Sequence, residues 1–323
     1  MIFDHILNTT GNTPMIRVPV EEALNINLYA KSEFFNPTGS VKDRAAAFVI
    51  DKLLENKEID NNTTMIESSS GNFGIALAFY CKKCGLKFIC VVDPCISTMN
   101  EMLIRSLGAE VIKVEQPDEN GGYLLNRVRK VKELALEIPN SYWVNQYGNP
   151  YNAGAYYHTL GEEICSDMSR LDYIFLGISS GGTITGVSRR VKERFPLAKV
   201  IAVDIVGSVI FGYPPKKRYI PGIGSSMVPD IIKEAQIDDV VMMDEASTIQ
   251  GCYELLKKYG IFVGGSSGSA FAAIKKYFTQ DPPPKPGKPV EVVTVFPDRG
   301  ERYFNTIYNE QWCSDFLNRI SNN

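Results

Sequence analysis
The sequence predicts an α/β chain with buried parallel strands. Short apolar runs recur at residues 28–30, 88–92, 111–112, 142–144, 173–176, 200–203, 240–243 and 292–295. Strands covered on both faces read as such continuous runs rather than as alternation. Helical stretches lie between them, the order that parallel pairing requires. Three loops rich in glycine and hydroxyl residues each join an apolar run to a helical stretch.

The first informative segment is Asn36-Pro-Thr-Gly-Ser-Val-Lys-Asp-Arg44. Pro37 and Gly39 mark a turn, Ser40 is placed to cap, and the stretch 45–50 continues as a helix. Lys42 thus has a fixed place in the first helical turn, where an amine can act as a covalent handle; the other reading is a solvated lysine.

Next, Glu67-Ser-Ser-Ser-Gly-Asn-Phe-Gly74 follows the run Met65-Ile66 and opens the helical stretch 75–80. A cap needs one hydroxyl, so three serines beside free N–H groups form a site for a carboxylate or another small anion. Gly177-Ile-Ser-Ser-Gly-Gly-Thr-Ile-Thr-Gly186 reads as a phosphate cradle, because glycines permit close backbone approach and the helix terminus is positive. No Walker lysine follows it and no G-x-G-x-x-G run occurs, so the phosphate belongs to something other than a nucleotide. Gly264-Gly-Ser-Ser-Gly-Ser269 opens the stretch 270–274 and by itself reads as a capped turn.

Composition narrows the class. The 323 residues suffice for one large or two moderate domains, and 44% hydrophobic content suffices for a buried core. A net charge of −3 argues against nucleic acid as a partner. No apolar run reaches membrane-spanning length, and Met1-Ile-Phe-Asp-His5 has no signal pattern, so a cytoplasmic protein without a membrane partner is expected. Seven scattered cysteines without framework spacing fit a reducing compartment. Cys81-Lys-Lys-Cys84 has no second pair and the histidines are His5 and His158, so no metal site is expected. His158 is read as a packing residue rather than a base. Asp281-Pro-Pro-Pro-Lys-Pro-Gly-Lys-Pro289 is read as a stiff surface connector before the last strand.

The ordered set of the Lys42 turn, Ser-Ser-Gly-Asn-Phe-Gly, Ser-Gly-Gly-Thr-Ile-Thr-Gly and Gly-Gly-Ser-Ser-Gly-Ser resembles the fold-type II pyridoxal-phosphate enzymes of the cysteine synthase and cystathionine β-synthase family. The resemblance runs from Gly11-Asn-Thr-Pro14 to Pro297-Asp-Arg-Gly300. It implies a tryptophan synthase β-like architecture of two open, twisted α/β domains with a cofactor cleft between them. A smaller mobile domain would span 37–147, set into a larger one formed by 1–36 and 148–323, and the protein would be a homodimer acting on small amino-acid substrates. It further implies that Lys42 holds pyridoxal 5'-phosphate as a Schiff base, that Asn72 meets its phenolic oxygen, and that Ser179, Ser180, Gly181, Gly182 and Thr183 cradle its phosphate. Ser266 would face the pyridine nitrogen, where a neutral hydroxyl favours elimination over transamination. Ser69, Ser70, Gly71 and Gln146 match positions that hold the amino-acid carboxylate.

The activity so implied is β-replacement. Lys42 is displaced by an activated serine, takes its α-proton, and reprotonates the product once a nucleophile has added to an aminoacrylate. Phe73, Tyr147, Ser179 and Arg127 depart from the ordinary cysteine synthase pattern on the substrate side. The segments 143–149, 206–212, 221–230 and 297–303 are similar to the siderophore-pathway branch of the family. That branch joins L-glutamate to O-phospho-L-serine, giving N-(2-amino-2-carboxyethyl)-L-glutamate for 2,3-diaminopropionate synthesis. Arg127 also opens the basic stretch 127–132, whose other reading is a solvated helix face, and the sequence leaves both open. A cysteine synthase using sulfide on O-acetylserine or O-phosphoserine, a related β-substituted alanine synthase, and a non-catalytic binding relative are the alternatives.

Overall fold
The computed structural model describes residues 2–118, 121–283 and 287–321. Residues 284–286, the middle of the expected connector, and Met1, Asn322 and Asn323 lie outside them. Along the chain the elements are β1 (Met15–Val18), β2 (Ile26–Ser32), α1 (Lys42–Glu55), β3 (Thr64–Ser68), α2 (Asn72–Cys84), β4 (Lys87–Val92), α3 (Thr98–Ser106), β5 (Glu110–Lys113), α4 (Leu124–Glu137) and β6 (Ser141–Trp143). They continue with α5 (Pro150–Tyr156), α6 (Glu162–Asp167), β7 (Tyr173–Gly177), α7 (Gly182–Arg194), β8 (Lys199–Ile205), β9 (Asp239–Met243), α8 (Glu245–Tyr259), α9 (Gly265–Gln280), β10 (Val290–Phe296) and α10 (Glu310–Ser321).

The strands form two sheets, one ordered β1-β2-β10-β7-β8-β9 and the other β5-β4-β3-β6. The expected parallel pairing holds throughout the second sheet, where Ile66 of β3 lies between Ile89 and Trp143. In the first sheet β10 runs parallel to both β2 and β7, with Val292 opposite Leu28 and Tyr173. The exception is β1, an antiparallel edge strand whose Met15 pairs with Lys31. Only Val18 of its four residues is fully buried, so it lacks the continuous apolar run that marks the inner strands.

Helices cover the sheets because their apolar faces have nowhere else to go. Val49, Ile50 and Leu53 of α1, Ile75 and Leu77 of α2, and Ile184, Val187 and Val191 of α7 belong to one buried cluster that reaches strands of both sheets, including Met65 and Ile174. Truncating a side chain such as Leu53 to alanine would cost about 2–5 kcal/mol. A second cluster, with Phe175, Val203, Phe271 and Phe278, packs α9 on the larger sheet. Open parallel sheets place ligands beyond the carboxyl ends of their strands. The loops singled out from the sequence follow β2, β3 and β7, or begin α9, and so gather at those ends.

Candidate active site
Lys42 is the first residue of α1, and the turn before it is organised by Asp43 more than by Ser40. The Asp43 carboxylate accepts from Thr38 N at 3.1 Å, Thr38 Oγ1 at 2.7 Å and Ser40 N at 3.4 Å, while Ser40 Oγ takes only the Lys42 N–H, at 3.3 Å. The α1 terminus is thus held by a buried carboxylate rather than by the expected serine cap, and burial pushes that carboxyl up to about 6. The Lys42 side chain is half-buried, with Nζ 6.0 Å from the centre of the Tyr156 ring. Burial lowers its amine to about 8 against the opposing pull of Asp298. Such an amine is partly neutral near physiological pH and can act as a nucleophile or a base.

The serine loop divides its labour. Ser69 Oγ accepts from Gly74 N at 3.0 Å and Gly71 N at 3.4 Å and so caps α2. Ser70 Oγ donates to Asp93 Oδ2 at 3.0 Å and accepts from Arg127 Nη1 at 2.9 Å. Arg127 Nε stands 3.2 Å from Asp93 Oδ2 and its side chain is 12% exposed, so Arg127 is not on a solvated face. Gln146 donates from Nε2 to Ser68 O at 3.0 Å, and its backbone N–H meets Glu67 Oε2 at 3.1 Å. Phe73, expected on the substrate side, is buried at 2% exposure and packs with the main apolar cluster. On α2 the position after Asn72 turns inward with Ile75 and Leu77.

In the loop after β7, Gly181 has a φ of 86°, a conformation that demands glycine. Ser180 Oγ is buried and has no hydrogen-bond partner among the described residues. Ser179 Oγ donates to Gly224 O at 3.0 Å, so its hydroxyl ties this loop to the 224 turn. Ser266 is buried at the start of α9, close enough that a Cβ on Gly177 would stand 3.8 Å from its own. Tyr147 lies where the charges of Arg127, Glu67 and Arg218 all act on its phenol, which burial pushes up to about 12. Arg218 donates from Nη1 to Gly207 O and Ser225 O and from Nη2 to Ser226 Oγ at 3.0 Å.

Four members of this constellation were not singled out from the sequence. Asp93, Glu67, Arg218 and Asp298 all stand at or beyond the carboxyl ends of strands or on the loops that follow them. Asp298 joins two of the segments: Asn72 Nδ2 donates to its Oδ2 at 2.7 Å and Tyr303 OH at 3.0 Å. The Pro297-Asp-Arg-Gly300 run carried the resemblance, and that was the available signal.

A family model described as pyridoxal-phosphate dependent enzyme matches residues 6–298. The chain belongs to that family. An O-acetylserine dependent cystathionine β-synthase from Helicobacter pylori is similar, with 36% identity, 95% of this chain and 98% of that chain covered, and a TM-score of 0.86. An O-ureido-L-serine synthase shares 28% identity over 96% of each chain at a TM-score of 0.87. A hydrogen sulfide-producing enzyme complexed with an α-aminoacrylate intermediate shares 33% identity over 94% of this chain and 91% of that chain, at 0.85.

Family membership makes this an enzyme with pyridoxal phosphate as cofactor, and the residues present fit that group. A buried hydroxyl at Ser180 beside the positive φ of Gly181 is a donor with no acceptor among the described residues, as a phosphate cradle requires. A desolvated lysine stands at the start of α1. No helix among the described residues is long and apolar enough to cross a membrane.

Proposed function
We propose that the enzyme catalyses β-replacement on an O-activated L-serine, with O-phospho-L-serine as donor. L-glutamate or a similar amino acid is the nucleophile, and the product is N-(2-amino-2-carboxyethyl)-L-glutamate, a precursor of 2,3-diaminopropionate. When bound, pyridoxal phosphate supplies an electron sink that acidifies the α-carbon of an attached amino acid and lets a β-substituent depart. Lys42 Nζ, held near neutrality by burial, carries the proton from Cα and returns it after the new bond has formed. Asn72 would donate to the cofactor's phenolic oxygen, Ser180 to Thr183 with Ser179 would hold its phosphate, and Ser266 would meet its ring nitrogen. Ser69, Ser70, Gly71 and Gln146 bind the substrate carboxylate with backbone and hydroxyl donors.

The observation that carries the choice of nucleophile is Arg218, a half-buried guanidinium near Tyr147 whose described partners are two carbonyls and one hydroxyl and no carboxylate. Sulfide needs no such recognition, whereas a dicarboxylic amino acid does. The test is to load the enzyme with O-phosphoserine or O-acetylserine, add glutamate, aspartate or sulfide separately, and identify each product by mass. Glutamate adduct from phosphoserine supports the reading, and sulfide as the sole productive nucleophile would sink it. O-acetylserine is the second donor to weigh, since the Helicobacter pylori enzyme depends on it. The segment 37–147 is proposed as the unit that closes over the substrate, and the enzyme as a homodimer.

A further inference from the structure
Asp298 follows β10 of the larger sheet, and Asn72 opens α2 after β3 of the smaller one, so the 2.7 Å hydrogen bond between them joins loops of the two sheets. The segment around Asp298 is itself pinned on two sides. Val41 N donates to Pro297 O at 2.8 Å beside a bridge between Ser40 and Asp298, and Gly264 N donates to Asp298 O at 3.1 Å. Asp298 Oδ2 accepts from both Asn72 and Tyr303, while Oδ1 is buried without a partner among the described residues. Gly264 leaves that oxygen its space, since a Cβ there would overlap it.

An asparagine amide can present either its NH2 or its oxygen to a ligand. A carboxylate has no proton to give, so at 2.7 Å it accepts only the NH2 end. One N–H of Asn72 is then spent on Asp298, and the second is left pointing along a direction the carboxylate has fixed. We propose that Asp298 is the positioning residue that orients the Asn72 amide, so that a donor and never an acceptor meets the cofactor's phenolic oxygen. The inference rests on the assignment of Asn72 to that oxygen. Without Asp298 the amide can rotate and set its own oxygen against the cofactor's.

The test uses the holoenzyme carrying N72A, D298A, D298N or both N72A and D298A, read by the visible absorption maximum and by the cofactor dissociation constant. N72A and D298A should each shift the band in the same direction and weaken cofactor binding by roughly tenfold, the scale of one charge-assisted hydrogen bond. D298N keeps an acceptor oxygen and the volume but can also present its own NH2, and should recover only part of the loss. The double variant should be no worse than N72A, because the effect of Asp298 runs through Asn72. Additive losses would show that Asp298 only supports the fold and would overturn the proposal. A band unmoved by N72A would overturn the reading of Asn72 and the proposal with it. If D298A does not fold, D298N alone and with N72A reports the same coupling: a partial shift that disappears in the N72A background supports the proposal, and one that persists there overturns it.

Discussion

Arg127 and Asp93 form a nearly buried ion pair, Nε to Oδ2 at 3.2 Å, with the Ser70 hydroxyl bonded to both. The charge of Arg127 is therefore balanced by the protein, and its first effect is to fix the serine loop proposed to receive a substrate carboxylate. Removing one partner of such a pair leaves the other desolvated and alone.

Arg127→Ala should lower stability by about 3 kcal/mol, the cost of stranding a buried charge, and should also raise the KM for the donor amino acid. The double variant Asp93→Ala with Arg127→Met should regain most of the stability but not the KM. Thermal unfolding alongside steady-state kinetics separates the two effects. Recovery of both would mean that the pair is purely structural.

Arg218 differs, for its described partners are two carbonyls and one hydroxyl rather than a carboxylate. Three of its five N–H donors are used, and the rest remain for an anion. Arg218→Met should raise the KM for glutamate by roughly 10- to 100-fold, the worth of a charge-assisted pair, while leaving the rate with sulfide unchanged. An equal loss with both nucleophiles would place Arg218 outside acceptor recognition.

Loading of the cofactor-free protein gives a pH prediction. Only the neutral amine of Lys42 attacks an aldehyde, and burial brings that amine down to about 8. The rate at which the visible band appears should be low below this value, rise through about pH 8 and level off above it. A midpoint near the ordinary lysine value, around 10.4, would show that the amine is solvated.

Two residues beyond Lys42, Arg44 is fully buried and grips Glu33 at 2.7 Å and Glu163 at 2.6 Å, and Lys31 bonds Glu163 at 3.0 Å. Burial alone would raise the Glu163 carboxyl, but the hydrogen bonds and charge of Arg44 more than offset it and hold the group at about 2. A depressed carboxylate contributes stability that is present above its unfolded value and is lost as pH falls through the folded one. Acid unfolding of the wild type should therefore steepen between about pH 4.3 and 2, and Glu163→Gln should flatten that limb. Unchanged acid limbs in denaturant titrations would remove the network from the account.

Much of this was legible in the chain. Parallel strands announce themselves as apolar runs because both faces are covered, and the loops at their ends carry glycine and serine because backbone must approach a ligand there. The edge strand β1 was missed since an exposed, antiparallel edge has no such run. Asp93 and Glu33, and the tie of Asp298 to Asn72, were not legible for a different reason: a charged residue reads as surface until its partner is known, and Arg127, Arg44 and Asn72 stand 34, 11 and 226 positions away in the sequence.

Glu67 supplies the last prediction. It lies fully buried beneath the serine loop, with Oε1 accepting from Ser68 N at 2.6 Å and Oε2 from Gln146 N at 3.1 Å, and burial pushes it up to about 7 despite those donors. The folded protein then binds a proton that the unfolded chain has released above its ordinary value near 4.3. Stability from this group is complete below that value and declines as pH rises through about 7. Glu67→Gln removes the titration but turns an NH2 toward one of the two backbone donors, at a cost of about 1–3 kcal/mol. The variant should thus be clearly weaker than wild type at pH 5, with the gap narrowing by pH 8. Denaturant midpoints of the cofactor-free proteins across that range decide it, and parallel profiles would mean that Glu67 keeps the same charge throughout.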